Sequence, residues 1–289
     1  IKYMDAVPDS AVCNEAVKLA KRHKFAQLSG FVNGVLRNIA RNIDLVQFDT
    51  LSIRYSMPQW IVDRFVSEYG EKKAEEIFKA FHNKSTISIR TNLTRCTPDE
   101  LRAKLEAEGV TVTAVDELDY AFVISGFDYL NGLQSFRDGL FYVQDISSML
   151  VAQTAAPKKG DYVIDVCAAP GGKSTHIAEL LQGSGHVLAR DMTDNKVDMI
   201  EENIERHGLN NMSAEVWDAT VPDADSAGKA DILICDLPCS GLGVLGRKKD
   251  IRYKMTPESV DELAALQRQI LDTVHTYVKT NGVLVYSTC

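Results

Sequence analysis

Hydrophobic positions follow two periods along this chain, and the change of period divides it. From residue 9 to 42 they recur at helical spacing: Ala16, Val17, Leu19 and Ala20 make one stripe, and Phe31, Val32, Val35, Leu36 and Ile39 a second. Asp9 or Ser10 is placed to cap the first helix, and Gly30 to separate the two. Residues 43–57 read as a linker. Pro58 opens a further helix with Trp60, Ile61, Phe65 and Val66 on one face, Gly70 closes it, and residues 72–81 continue as another. The period then drops to two. Residues 86–92 alternate as a strand, Thr97-Pro98-Asp99-Glu100 starts a capped helix that runs to Gly109, and residues 110–115 and 121–125 alternate again. This β-α-β-β order predicts a small α+β module.

From about residue 141 strands and helices take turns. Helices are predicted at 146–155, from Lys173, at 194–207 and at 257–279; strands at 162–166, 186–189, 214–216, 231–235 and 283–286. Such alternation predicts a parallel sheet with helices on both faces.

Composition narrows the class without naming a function. The chain is 45% hydrophobic and 25% charged, ordinary for a globular protein. No apolar run approaches the roughly 20 residues a bilayer requires, so no membrane partner is expected. Residues 1–5 lack the basic start and apolar core of a signal peptide. The chain begins at Ile1 and stops at Cys289 directly after an apolar run, so both ends read as cut edges of a longer protein. The six cysteines are scattered, with no C-x-x-C pair. That favours free thiols in the cytoplasm over a disulfide framework; separately, a monomer without a metal is expected. A net charge of -8 weighs against nucleic acid, but residues 1–90 carry 14 Lys/Arg against 10 Asp/Glu.

Two constellations carry chemistry. The first is Asp165-Val166-Cys167-Ala168-Ala169-Pro170-Gly171-Gly172-Lys173, between a predicted strand and helix. Small residues there let the backbone approach a ligand, and the helix start offers free N–H groups. A P-loop would need glycine where Cys167 stands, and no G-x-G-x-x-G spacing occurs. Asp191 ends the next strand, 20 residues after Gly171, where a Rossmann-like sheet places the carboxylate that holds ribose hydroxyls. Asp218 follows the third strand, within reach of an adenine amino group. Each carboxylate alone is an ordinary polar loop residue; the set in register with three strands fits an adenosine ligand.

The second constellation is thiol-based. Asp236-Leu237-Pro238-Cys239-Ser240 follows the fourth strand, and Ser287-Thr288-Cys289 ends the fifth. Ligands bind at the carboxyl ends of such strands. Two thiols thereby face one pocket, and a thiolate there is a nucleophile. Cys13, Cys96, Cys167 and Cys235 read instead as small buried hydrophobes.

Together these motifs resemble those of the RNA cytosine-5 methyltransferases, the NOL1/NOP2/Sun family. Residues 165–173 resemble that family's cofactor motif, and the segments around Cys239 and Cys289 its two cysteine motifs. The resemblance implies a class I, Rossmann-like α/β methyltransferase domain that uses S-adenosyl-L-methionine. It implies cofactor contacts from Cys167, Ala168, Ala169, Pro170, Gly171, Gly172, Lys173, Asp191, Asp218 and Asp236. It makes Cys289 the nucleophile, with Cys239 assisting product release, and Asp236 is placed to act at ring nitrogen 3. Carbon 5 of cytosine is a poor nucleophile until a thiolate adds to carbon 6, which is why the chemistry needs a thiol.

Tyr3-Met4-Asp5-Ala6-Val7-Pro8 and Gly30-Phe31-Val32-Asn33-Gly34-Val35-Leu36-Arg37 are similar to the end of the NusB-like RNA-binding domain of bacterial members, which points to 16S rRNA as partner. The implied organisation is 1–48 as the tail of an all-α NusB-like domain, 49–138 as a helical linker and small α+β (RRM-like) module, and 139–289 as the catalytic domain. On this resemblance the front of the helical domain and a hairpin after Cys289 are missing, and the fifth strand is left as an edge. Two other readings stand beside it: a P-loop-like nucleotide-binding protein, suggested by Gly172-Lys173-Ser174, and a non-catalytic RNA-binding assembly factor.

Overall fold

The front of the chain is helical, as its period predicts. The computed structural model describes residues 6–45, 48–83 and 86–289. α1 (Asp9–Arg22) and α2 (Ser29–Asn42) pack together, joined by a 3-10 turn at Ala26–Leu28. The break between them is not Gly30, which lies inside the first turn of α2. It falls at Lys24, whose φ of +66° reverses the chain after α1. The predicted stripe of α2 stays largely open within this unit: Phe31 is 71% exposed. Tyr3, Met4 and Asp5 lie outside the described residues.

The predicted linker holds a 3-10 turn (Ile43–Leu45) and a short helix, α3 (Leu51–Arg54), which Thr50 caps by accepting from the Ile53 N–H. α4 (Gln59–Tyr69) begins after Pro58, which serves as its N-cap. It ends at Gly70, whose φ of +78° a larger residue adopts only with strain. α5 (Glu71–Ala80) follows directly. The chain divides into two compact units at this helix, one up to Phe78 and one from Lys79.

The second unit holds two sheets. The first contains β1 (Ile87–Thr91), β2 (Thr111–Val115), β3 (Leu118–Ser125) and β4 (Phe141–Val143), antiparallel in the order β2-β3-β1-β4. α6 (Pro98–Ala107) has the predicted capping box, with Thr97 accepting from Glu100 N and Glu100 reaching back to Thr97 N. It drives Leu101 and Leu105 into a core with Ile89, Phe122, Ile124 and Phe141. β3 starts three residues earlier than its alternation predicts. β4, which follows the short α7 (Gln134–Arg137), has only three residues, too few to show a period.

The second sheet is parallel: β5 (Tyr162–Asp165), β6 (His186–Asp191), β7 (Met212–Val216), β8 (Ala230–Asp236) and β9 (Val278–Ser287), in the order β7-β6-β5-β8-β9. Successive side chains enter opposite cores. Val163, Val187, Ile232 and Ile234 meet α8 (Ile146–Ala155), α9 (Gly172–Leu180) and α10 (Asp194–His207) on one face. Ile164, Leu233 and Cys235 meet Ile270 and Val274 on the other, from α12 (Pro257–Val274), which follows the short α11 (Ile251–Lys254). The α12 helix stops five residues before its predicted end. A 3-10 turn at His275–Tyr277 follows, and β9 already begins at Val278, with a turn at Asn281 where φ is +66°.

The antiparallel sheet docks on α9 and α10 through buried charge. Arg90 of β1 is 1% exposed, 3.1 Å from Glu179 of α9 and 3.2 Å from the Thr175 hydroxyl. His207 Nδ1 lies 3.6 Å from the same carboxylate. Burial holds the His207 imidazole below its usual titration range. Gly139 touches α10 so closely that a Cβ there would stand against the Arg206 carbonyl. Among the described residues, no helix is long and apolar enough to cross a membrane.

Candidate active site

The site lies along the carboxyl edge of the parallel sheet. The loop after β5 turns at Gly171, whose φ of +100° a larger residue adopts only with strain. That glycine shapes the loop and lines neither cavity described below. Asp165, at the end of β5, is 1% exposed; its carboxylate accepts from Ser174 Oγ at 2.5 Å and Cys167 N at 3.4 Å. Burial raises its pKa to about 6. Asp165 thus ties the loop to the first turn of α9. This also answers the P-loop reading: Ser174 is fully buried on Asp165, and Lys173 is paired to Asp236 at 2.5 Å. Neither is presented to a triphosphate.

Asp191 ends β6 and is fixed by three donors: Ala169 N at 3.0 Å, Met192 N at 2.8 Å and Lys196 Nζ at 2.8 Å. Asp218 lies two residues beyond β7 and is exposed, its carboxylate accepting from Thr220 N and Oγ1. Both line one cavity of about 470 Å³ together with Cys167, Ala169 and Asp236. Its remaining walls include Met192, Trp217, Ala219, Leu266 and Ile270. The result is an apolar slot with carboxylates on its rim, the shape and polarity a nucleoside requires. Sequence reasoning missed the α12 side of this slot, because Leu266 and Ile270 at i, i+4 look like any buried helix stripe.

Ala168, Pro170, Gly172 and Lys173 line a neighbouring cavity of about 370 Å³, which shares Cys167, Ala169 and Asp236 with the first. Tyr142, Gln144, Asp145 and Lys248 also border it, none of them anticipated. Gln144 is 6% exposed, and its Nε2 stands 3.8 Å from where a Gly172 Cβ would be. Tyr142 and Gln144 belong to β4 and its exit, the strand whose shortness hid it.

Asp236 is the hinge of the site. Its Oδ2 meets Lys173, and its Oδ1 accepts from Ser287 Oγ at 2.7 Å. The β8–β9 register pairs Asp236 with Ser287, so the segments that follow each strand run side by side. Cys239 and Cys289 consequently meet, Sγ to Sγ at 2.7 Å, and Cys289 N–H also points at the Cys239 sulfur at 3.4 Å. The Cys289 S–H, with N–H groups of Cys289 and Gly241, pulls the Cys239 thiol down to about 6. Hydrogen bonding to that thiolate, and then burial, pushes Cys289 up. The two sulfurs thus share one hydrogen bond, and each sets the acidity of the other.

The other thiols behave differently. Cys13 and Cys235 are buried in apolar surroundings, the latter with its pKa pushed up to about 12 by burial. Cys96 and Cys167 are only half-buried. Cys167 lines both cavities, so it is no simple core residue.

A five-stranded parallel sheet sandwiched by helices, with a nucleoside-shaped slot at its carboxyl edge, defines the Rossmann-like methyltransferase fold. A family profile described as 16S rRNA methyltransferase RsmB/F matches residues 152–289. The ferredoxin-like domain of RsmF/B-like methyltransferases matches 57–127, and the NusB family 1–41. Across its full length the chain is 37% identical to the probable ribosomal RNA small subunit methyltransferase B of Bacillus subtilis and covers 66% of it. It is 34% identical to the corresponding protein of Synechocystis and covers 67% of that. A methyltransferase homolog protein from Pyrococcus horikoshii has the same fold, with TM-score 0.69 and 26% identity over 82% of this chain and 75% of that one. The chain belongs to the RsmB/F family of 16S rRNA methyltransferases, and it spans about two thirds of the length of the curated relatives it matches.

Proposed function

We propose that the chain transfers a methyl group from S-adenosyl-L-methionine to carbon 5 of a cytosine in 16S rRNA, through a covalent Cys289–cytosine adduct. The observation that carries this is the Cys239–Cys289 contact beside Asp236, the carboxylate that also lines the nucleoside-shaped slot. An enzyme that methylates an exocyclic amine needs no thiol there, and a P-loop enzyme needs Lys173 and Ser174 free.

The residues present fit the cofactor. Asp191 would hold ribose hydroxyls, Asp218 the adenine amino group, and the loop from Cys167 to Lys173, with Asp236, the amino-acid end. When bound, the cofactor supplies an electrophilic methyl group. The chain's own residues do the rest. Cys289 passes its proton to the Cys239 thiolate, and the Cys289 sulfur adds to carbon 6. Asp236, entering the step as the carboxylic acid, donates a hydrogen bond to ring nitrogen 3, so that carbon 5 gains electron density and takes the methyl group. The carbon 5 proton then leaves to solvent, the S–C6 bond breaks, and Cys239 returns its proton to the departing sulfur. Under this scheme Cys239 is the release residue. We assign residues 139–289 to catalysis and 1–48 and 49–138 to holding the RNA, in a monomer that works in the cytoplasm.

Transfer of labelled methyl to unmodified 16S rRNA tests the reading. The expected result is turnover by the unaltered chain, none by Cys289→Ala, and a denaturation-resistant RNA adduct with Cys239→Ala. Turnover by Cys289→Ala at the unaltered rate would refute the nucleophile. RNA binding without turnover by the unaltered chain would favour the assembly-factor reading.

A further inference from the structure

The geometry points to a second subsite, beside the thiol pair, for the base that neighbours the target cytosine in the RNA strand; this rests on the proposed reaction. A cleft of about 400 Å³ opens between β1 and the loop after Cys239. Phe81, Asn83, Thr86, Ser147 and Arg247 are among its lining residues. It adjoins the chemistry directly, because its wall includes Gly243, where a Cβ would stand 3.0 Å from the Cys289 carbonyl carbon. The ion pair Asp145–Arg247 forms another wall, and Asp145 also lines the cavity that holds Lys173 and Asp236. The two cavities are therefore neighbours that share one carboxylate.

The chemistry of the lining matches a base better than a peptide or a lipid. Phe81 is half-buried and lends an aromatic wall; Asn83 is exposed and offers a donor and an acceptor for a base edge. Thr86 and Ser147 are exposed hydroxyls on the same rim. Beside Arg247, which is paired with Asp145, the consecutive exposed Lys248 and Lys249 offer positive charge to the connecting phosphates in a chain of net charge -8. Of these residues only Lys248 also borders the cavity of Lys173 and Asp236; the others stand outside the thiol and cofactor machinery.

The test uses the full chain and two RNA hairpins carrying the target cytosine, one intact and one with an abasic neighbour, read by steady-state methyl transfer. Ser147→Trp fills the cleft from an exposed helical position, and Asn83→Ala removes the amide without adding bulk. On intact RNA each variant is expected to raise KM, by about 10- to 100-fold for Ser147→Trp, with kcat little changed. The abasic RNA should cost the unaltered chain a similar factor, and Ser147→Trp should then add no further loss. Unchanged KM on intact RNA for both variants, or an equal penalty on both RNAs, overturns the subsite while leaving the reaction standing. Absence of transfer by the unaltered chain to either RNA overturns the reaction and the subsite with it.

Discussion

Two clusters of charged side chains in the unit from Lys79 onward invite comparison: one at the carboxyl edge of the parallel sheet, the other at the seam where the antiparallel sheet meets α9 and α10. At the seam Arg90 and Glu179 are almost wholly buried and face each other, and His207 is held neutral beside them. At the edge, Asp191, Asp218 and Asp236 all border a cavity, and Cys239 and Cys289 are partly open. The seam spends its charges on each other. At the edge the partners are backbone N–H groups, hydroxyls and two lysines, the half-buried Lys173 and the exposed Lys196, which a ligand can replace or join. The lesson is that burial separates a charged cluster that holds a fold from one that can act.

The largest expected effect tests the edge. Cys289→Ala should lower the methyl-transfer rate by more than about a thousandfold, measured with saturating RNA, while the thermal melt stays cooperative. An unchanged rate would make the edge as structural as the seam. Asp236→Asn keeps the shape and removes the charge, so the rate should fall by about 10²- to 10⁴-fold in the same assay. Asp191→Ala should weaken S-adenosyl-L-methionine binding by about 10- to 100-fold in calorimetry, through loss of the carboxylate's charge-assisted hydrogen bonds.

The seam is tested by stability. Arg90→Met leaves Glu179 buried without its partner and should cost about 3–5 kcal/mol in urea unfolding. Arg90→Met with Glu179→Leu should recover most of that loss; no recovery would mean the charges do more than neutralise each other. Asp165 sharpens the contrast, because it sits at the edge but is buried like the seam. Its carboxyl holds a proton to about pH 6 in the folded chain and to about 3.8 when unfolded, so its contribution to stability is full below 3.8 and lost as pH rises through 6. Relative to the unaltered chain, Asp165→Asn should therefore gain stability between pH 4 and 6, by up to about 3 kcal/mol. The smallest effect lies far from both clusters: Thr97→Ala should cost about 1 kcal/mol through the lost cap of α6.

Much of the edge is legible in the amino-acid sequence because strand ends are. A β-α alternation fixes where each strand stops, and Asp191, Asp236 and Cys289 stand at or just after those stops. The thiol contact needed one more inference, that the fourth and fifth strands are neighbours. The seam was not legible. Arg90, Glu179 and His207 are spread over 118 positions of chain and meet only through packing that no local period encodes. Nor was β4, whose three residues carry Tyr142 to the site. Gly30 misled for a related reason: glycine marks a break only where φ requires it, and here Lys24 takes the positive φ.

One feature of the edge bears on which base the chain accepts. Both oxygens of Asp236 are engaged before any RNA arrives, one by Lys173 and one by Ser287. Under the proposed reaction an incoming ring must compete for them. Cytosine presents an acceptor at nitrogen 3 beside a donating amino group; uracil presents the reverse, an N–H at nitrogen 3 beside a carbonyl. Selectivity between the two pyrimidines then rests on the proton that Asp236 takes up as it lets go of Lys173 and Ser287, since an oxygen that donates suits cytosine nitrogen 3 and opposes the N–H of uracil.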